Sequence, residues 1–220
     1  MPIFAAMNSP DTPNDEYLSL AGESQGFYSC LRSKFMAFAY PVKTEDDVRA
    51  HLSTLKRQYH DARHIAYAYI LGADGARERA NDDGEPSGTA GRPILGQLRR
   101  RGLSDAMVAV VRYFGGVKLG TSRLADAYKA AADDALEKAK TETKIVESAL
   151  TISFAYAQTD TILRALREAG GRVVENGYEN GAEPRAVMKI RIRKGAQADF
   201  LNRIERIAKT ETIDEQQHND

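Results

Sequence analysis

The stretch from Asn81 to Ala131 constrains the fold most, because it joins an acidic glycine-rich loop, an apolar run and an alanine-rich segment. The run from Met107 to Val111 is apolar throughout and rich in β-branched valine, which favours a strand covered on both faces. We therefore predict a buried strand over residues 106–114. A short helix opened by Pro93 is predicted before this strand, and a long helix from Thr121 is predicted after it.

Arg112 is the charged exception in the predicted strand. Because an unpaired buried charge is costly, its guanidinium must reach solvent or meet an anion or a carboxylate. The acidic loop offers Asp82, Asp83 and Glu85 as partners. Two interpretations stay open: the three acids order the loop through an ion pair, or they bind Mg²⁺ and act as general acid and base.

A glycine turn from Gly115 to Gly120 precedes the predicted long helix. Glycine permits backbone angles that other residues avoid, and Thr121 or Ser122 is predicted to cap the helix. The free amides and positive dipole end of such a helix start suit an anion. The alternative is a tight turn that packs the helix on its strand. The turn is not a P-loop, because Thr121 stands where that motif has its lysine.

Basic residues outnumber acids seven to one between Arg92 and Arg123, although the whole chain carries 31 of each sign. This local excess predicts a surface that attracts phosphate or an acidic protein. For Arg99 to Arg101 the alternative is a helix carboxyl end, which favours cations.

A second basic feature is the predicted strand over residues 185–193, where charged and apolar residues alternate. Its basic face suits RNA, although lysines on exposed strands also discourage aggregation. The two features together supply the residues that we predict to bind a partner: Arg92, Arg112, Gly115, Gly116, Lys118, Gly120, Thr121, Ser122, Arg123, Lys189, Arg191 and Arg193.

Composition favours a cytoplasmic protein without a metal or a cofactor. The single cysteine, Cys30, excludes an internal disulfide and suits a reducing cytosol. The amino terminus does not resemble a secretory signal, and no apolar run reaches membrane-spanning length. His60 and His64 are four residues apart, but no further ligand completes a zinc set.

Two domains are predicted from the order of the elements. Residues 16–143 combine strands over 16–23, 26–40 and 64–71, a helix over 44–60 and a structureless loop over 72–91 with the central stretch. Residues 144–214 follow the order βαββαβ, which is the ferredoxin-like arrangement. The composition changes at residues 141–144, where we predict the domain boundary. Residues 1–15 are predicted to be a loose tail, and residues 215–220 an acidic tail.

Two long motifs resemble those of the YigZ/IMPACT family: DDGEPSGTAGRPIL from Asp82 to Leu95, and VVRYFGGVKLG from Val110 to Gly120. The resemblance implies an α+β fold in two domains. The amino-terminal domain would be similar to the second domain of ribosomal protein S-five. The carboxyl-terminal domain would be ferredoxin-like and similar to the last domain of elongation factor G. Ile65 and Ala66 depart from the family, where relatives often have a second histidine and a cysteine, and this weakens a metal interpretation further.

The resemblance also implies a function in translation. Eukaryotic IMPACT inhibits the activation of a stress kinase that controls translation initiation, and only its core domain corresponds to this chain. We expect a cytoplasmic regulator that acts by binding, not by catalysis, and that contacts RNA, the ribosome or a translation factor. An enzyme acting on a phosphorylated or nucleotide substrate through the acidic loop and Arg112 is the alternative. A module that binds an acidic protein is a third possibility, and the oligomeric state is left open.

Overall fold

The computed structural model describes residues 15–179, 184–207 and 211–214, the last of these by backbone alone. Apart from Asp15, the two predicted tails lie outside the described residues. The chain divides into two compact units, residues 16–144 and residues 145–220 together with 1–15. None of the described helices is long and apolar enough to cross a membrane.

The first unit contains seven strands and three helices among the described residues: β1 (Glu16–Leu20), β2 (Ser24–Cys30), β3 (Ser33–Pro41), α1 (Glu45–Gln58), β4 (His64–Leu71), β5 (Arg77–Asn81), α2 (Gly91–Arg100), β6 (Ala106–Tyr113), α3 (Thr121–Lys138) and β7 (Thr141–Ile145). Five of the strands form one antiparallel sheet in the order β2-β3-β6-β4-β5. The remaining two, β1 and β7, pair with each other.

Strand β6 lies at the centre of the sheet and is buried from Ala106 to Arg112. Its side chains alternate between two cores, as the period of a strand requires. Val108 and Val110 pack with residues of α2 and α3 in one core, whereas Met107 and Val111 pack with residues of α1 in the other. The structure confirms the predicted strand covered on both faces.

Helix α1 begins at a capping box formed by Thr44 and Asp47. The amide of Asp47 donates to Oγ1 of Thr44 over 3.1 Å, and the amide of Thr44 donates to Oδ2 of Asp47 over 2.9 Å. Each side chain therefore satisfies a backbone donor that would otherwise lack a partner at the helix start.

Two predicted elements of the first unit are wrong. The segment 26–40 is not one strand but a hairpin, which turns at Leu31 and Arg32 with φ angles of 44° and 67°. The predicted loop 72–91 contains β5, which pairs with β4. Both pairings join strands that are consecutive in the chain, but the composition of these segments did not indicate them. Residues 141–144 belong to β7, and the first unit ends at the last of them, Lys144.

The second unit has the predicted ferredoxin-like order βαββαβ: β8 (Glu147–Ala155), α4 (Thr159–Glu168), β9 (Arg172–Glu179), β10 (Arg185–Arg193), α5 (Lys194–Ile207) and β11 (Glu211–Asp214). Its antiparallel sheet has the strand order β11-β8-β10-β9. The core lies between the sheet and the two helices, where Ile152 and Ile190 pack with Ile162 and Phe200. The α+β fold in two domains is confirmed.

Gly26 marks the place where β2 approaches α3 most closely. A Cβ atom at this residue would lie 2.3 Å from the backbone nitrogen of Ala135 and 2.8 Å from the carbonyl oxygen of Ala131. Because both contacts are to helix backbone, Gly26→Ala must displace α3. We expect a loss of about 1–3 kcal/mol in the free energy of unfolding, measured by urea denaturation.

Gly22→Ala is the matched control, since nothing lies within 4 Å of a Cβ atom there. We expect it to change stability by less than about 0.5 kcal/mol. Equal stability of the two variants would contradict the close packing of β2 against α3.

Candidate functional site

A buried ion pair lies at the carboxyl end of β6. Nη1 of Arg112 donates to both carboxylate oxygens of Glu85, over 2.7 and 2.8 Å. The hydroxyl of Tyr128, on α3, donates to Oε1 of the same carboxylate over 2.7 Å. Arg112 and Glu85 are 8% and 9% exposed, and Tyr128 is fully buried. The guanidinium thus meets a carboxylate of the acidic loop, one of the two fates predicted for it.

Aromatic rings surround the Arg112 side chain. Its guanidinium carbon lies 5.5 Å from the ring centroid of Phe35 and 5.8 Å from that of Phe114, within the range of cation–π attraction. Phe35 also meets Tyr128 edge to face at 5.1 Å. Within the described part of the chain, Nε of Arg112 has no hydrogen-bond partner. The side chain therefore keeps an unused donor although it is almost wholly buried.

Two acids of the loop, Asp82 and Asp83, accept hydrogen bonds from backbone amides. The carboxylate of Asp82 accepts hydrogen bonds from the amides of Gly88, Ala90 and Gly91, over 2.8–3.0 Å. Oδ2 of Asp83 accepts from the amide of Ile65 over 2.7 Å. Together with the Glu85 ion pair, these contacts support the proposal that Asp82, Asp83 and Glu85 order the loop. No group of three or more metal-ligating side chains occurs among the described residues.

His64 connects the loop to the sheet. Its Nδ1 lies 2.7 Å from the carbonyl oxygen of Asp83. Because a carbonyl oxygen only accepts, Nδ1 carries the proton in this contact, and Nε2 is an acceptor in the neutral ring. His64 is also the direct partner of Arg112 in the pairing of β4 with β6. His64 therefore lies beside the acidic loop.

The glycine turn shapes the start of α3. A Cβ atom at Gly115 would lie 2.1 Å from the carbonyl carbon of Arg32, so the β2–β3 hairpin leaves no room for a side chain. Gly116 and Gly120 have φ angles of 87° and 74°, which favour glycine. These three residues serve the geometry of the turn.

The predicted cap of α3 is wrong. Helix α3 begins at Thr121 and its N-cap is Gly120, with no side-chain hydrogen bond that caps the helix among the described residues. Thr121 and Ser122 lie inside the helix, too far along it to act as caps. The first amides of α3 therefore keep donors that have no intrahelical partner, at the positive end of the helix dipole.

An open pocket of about 380 Å³ lies between the acidic loop, the ends of β4 and β6 and the start of α3. We call it the anion pocket. It is lined by Arg63, His64, Glu85, Pro86, Arg112, Phe114, Lys118, Leu119, Gly120, Thr121 and Leu124. The structure thus brings together the motif of the acidic loop and that of the glycine turn.

The lining of the anion pocket carries a surplus of positive charge. Among the described residues, Glu85 is the one carboxylate of the lining, and it is already paired with Arg112. Arg63 and Lys118 are exposed, and neither forms a salt bridge within the described ranges. In the part of the chain that the structure describes, two cations and the start of α3 therefore face the same space without an acidic partner, which makes the electrostatic potential of the pocket positive.

The other predicted binding residues of the first unit lie outside the lining. Ser122 and Arg123 are exposed in the first turn of α3, and Arg92 is exposed near Asp82. The arginine cluster on α2 is neutralised by acids from elsewhere in the chain: Arg99 pairs with Glu78, and Arg100 and Arg101 both pair with Asp133. The predicted basic excess is thus confined to a smaller area.

The basic face of β10 is exposed as predicted but is also compensated. Lys189 lies 3.2 Å from Glu175 and Arg191 lies 3.9 Å from Glu147, measured between the charged atoms. Nε of Arg193 lies 3.2 Å from Oδ2 of Asp15. These three cations belong to the second unit, and their acidic neighbours weaken the positive potential of the strand.

Arg63, Phe114 and Tyr128 were missed as site residues by sequence reasoning. Arg63 directly precedes β4, so only the register that places His64 opposite Arg112 brings it to the pocket. Phe114 follows Tyr113 at the end of β6, and its exposure follows from the turn after the strand. Tyr128 lies within α3, and the partner of its hydroxyl lies 43 residues away in sequence.

The buried network predicts unequal effects of two substitutions. Glu85→Gln leaves Arg112 buried without a full countercharge, so we expect it to lower the free energy of unfolding by about 3–5 kcal/mol. Tyr128→Phe removes one hydrogen bond and leaves the ion pair intact, so we expect a loss of about 1 kcal/mol. Chemical denaturation measures both.

Glu78→Gln is the control, because it breaks an exposed ion pair with Arg99 and should have little effect. A Glu85→Gln variant as stable as Glu78→Gln would contradict the central role of the buried pair.

The lowered pKa of Asp82 predicts that the stability of the fold depends on pH. Burial alone would raise the pKa of its carboxyl, but the amides of Gly88, Gly91 and Ala90 and the nearby Arg92 outweigh it and lower the pKa. A lowered pKa in the folded state stabilises the fold above the ordinary pKa of about 4, and this contribution is lost as the pH falls through the lowered value. Asp82→Asn should therefore cost about 1–3 kcal/mol at neutral pH.

The difference in unfolding free energy between wild type and Asp82→Asn should shrink as the pH falls below about 4, where the carboxyl becomes protonated in the unfolded chain, and should continue to shrink towards the lowered pKa of the folded state. Asp126→Asn, at an exposed position on α3, is the control and should show a much smaller difference. A difference for Asp82→Asn that stays constant down to pH 2 would contradict this account.

Comparison with known proteins agrees with the motifs. The Impact N-terminal domain matches residues 31–136. IMPACT family member YvyE of Bacillus subtilis is 34% identical over 69% of this chain and 70% of its own length, and YigZ of Escherichia coli is 32% identical over 67% and 74%. A solved structure, a crystal structure of a hypothetical protein, has a TM-score of 0.68 at 25% identity and covers 93% of this chain and 99% of its own. The chain therefore belongs to the IMPACT family.

Proposed function

We propose that this protein regulates translation in the cytoplasm by binding RNA, free or within the ribosome, through the anion pocket. The observation that carries the proposal is the convergence of Arg63, Lys118 and the uncapped start of α3 on one open pocket. Phosphate is the anion that such a site suits, because cationic side chains and helix amides both donate to its oxygens.

The state of Arg112 supports the same conclusion. Its side chain lines the anion pocket, is almost wholly buried and keeps Nε without a partner in the described part of the chain. A buried donor without a partner is unfavourable. An anion in the pocket adds negative charge close to this guanidinium, and the ion pair with Glu85 holds the guanidinium in place.

Family membership supports translation as the setting. The resemblance implies domains similar to parts of a ribosomal protein and of an elongation factor, and such proteins work on RNA. The ferredoxin-like order of β8 to β11 agrees with the second of these likenesses. The exposed face of β10, with Lys189, Arg191 and Arg193, is proposed as a weaker contact because acids neutralise part of its charge.

The contacts of the acidic loop favour binding over the alternative of catalysis. Asp82 and Asp83 accept hydrogen bonds from backbone amides, and Glu85 is paired with Arg112 and Tyr128. A general base needs a carboxylate within reach of the substrate proton, and a Mg²⁺ site needs carboxylate oxygens that face the ion. Here the carboxylates already have partners within the protein.

The proposal predicts salt-dependent RNA binding that depends on two charges. The double variant Arg63→Glu with Lys118→Glu should weaken binding to RNA and to ribosomes by about tenfold or more, since each lost charged contact is worth about 1.5 kcal/mol. The slope of log affinity against log salt should fall by about 2. Filter binding and cosedimentation between about 50 and 200 mM salt measure these changes.

Lys129→Glu is the matched control, because it reverses an exposed charge further along α3. Wild-type affinity in the control and loss in the double variant support the proposal. Equal affinity in all three proteins, or binding that does not change with salt, contradicts it. Capture of a protein partner that survives nuclease treatment, with no RNA affinity, would replace RNA by a protein ligand.

A further inference from the structure

Phe114 stands at the mouth of the anion pocket and is 56% exposed. Phe114 directly follows β6. The guanidinium of Arg112 lies over its ring, with the central carbon 5.8 Å from the ring centroid. The rest of the first unit covers only part of this side chain. A flat apolar surface therefore remains open to solvent beside the pocket.

The lining of the anion pocket is of two kinds. Arg63 and Lys118 supply positive charge, whereas Pro86, Leu119 and Leu124 supply apolar surface next to Phe114. A free phosphate ion would use only the charged part. A ligand that joins a phosphate to a flat apolar group would use both parts, and a nucleotide has this composition.

We propose that the anion pocket holds one unpaired nucleotide of RNA, with its base stacked on Phe114 and its phosphate at Arg63, Lys118 and the start of α3. This inference rests on the RNA binding proposed above and specifies the form of RNA. The volume of 380 Å³ lies near the lower end of the range of about 300–1,000 Å³ that is typical of small-ligand sites. It suits a single nucleotide.

A preference for single strands follows from this geometry. Bases inside a duplex are stacked on their neighbours and paired, so their faces are not free to meet Phe114. An unpaired base presents its face, and stacking on an aromatic ring tolerates any base. The same cations would contact the backbone of either form. The aromatic ring therefore adds affinity for the unpaired strand alone.

The test compares a fluorescent oligouridylate with a duplex of the same length by fluorescence anisotropy, using the full chain. Phe114→Ala should weaken binding of the single strand about 5- to 150-fold, the range that loss of one stacked base produces, and should leave binding of the duplex unchanged. Phe114→Tyr keeps the ring and should restore the affinity. Phe27→Ala, which removes another half-exposed aromatic ring on β2, is the control and should bind as wild type.

Each outcome bears on one of the two proposals. If Phe114→Ala binds the single strand as tightly as Phe27→Ala does, while the Arg63 and Lys118 charge reversals abolish binding, stacking is overturned and the phosphate site stands. If wild type prefers the duplex, the unpaired-nucleotide site is likewise overturned. If wild type binds neither RNA, both proposals fail. Uridine monophosphate that competes better than inorganic phosphate, and only with Phe114 present, supports the inference.

Discussion

The buried pair of Arg112 and Glu85 is the interaction on which the first unit depends. Removing two charges from water costs several kcal/mol for each, and this cost is offset only when the pair has good geometry and further hydrogen bonds. Both conditions hold here, because one guanidinium nitrogen meets both carboxylate oxygens and Tyr128 adds a third donor. The pair joins the central strand, the acidic loop and α3, which are far apart in sequence.

The same pair determines the chemistry of the neighbouring pocket. Glu85 is the only carboxylate that the described residues contribute to the lining, and its pairing leaves the remaining charges of the pocket positive. The guanidinium is held beside Phe114 by the same contact, so the charged and aromatic parts of the pocket lie next to each other. The glycines of the turn add to this arrangement, since Gly120 starts α3 without a side-chain cap. A structural requirement and a binding surface thus share residues.

Much of the fold was predictable because its signals are local. The valine-rich run of β6, the capping box at Thr44 and the βαββαβ order of the second unit each depend on residues close in sequence. The hairpin turn at Leu31 and the strand β5 were missed although their partner strands are neighbours in the chain, because the composition of these segments does not indicate the pairing. The basic excess on α2 was overestimated for a different reason, since Glu78 and Asp133 lie outside the motif. Phe114 could not be predicted as a site residue, because its place in the pocket depends on residues that are near it only in the folded structure.

The pairing of β1 with β7 has a consequence for the architecture of longer chains. The amide of Ala21 donates to the carbonyl oxygen of Lys140 and that of Val146 to Asp15, so the chain enters and leaves the first unit at adjacent points. A module with neighbouring ends can be spliced into a surface loop of a host protein, or joined to different companions, without stretching its backbone. The first unit therefore has the geometry of a module that can be combined with different domains, and its evolutionary history can differ from that of the segment that follows it.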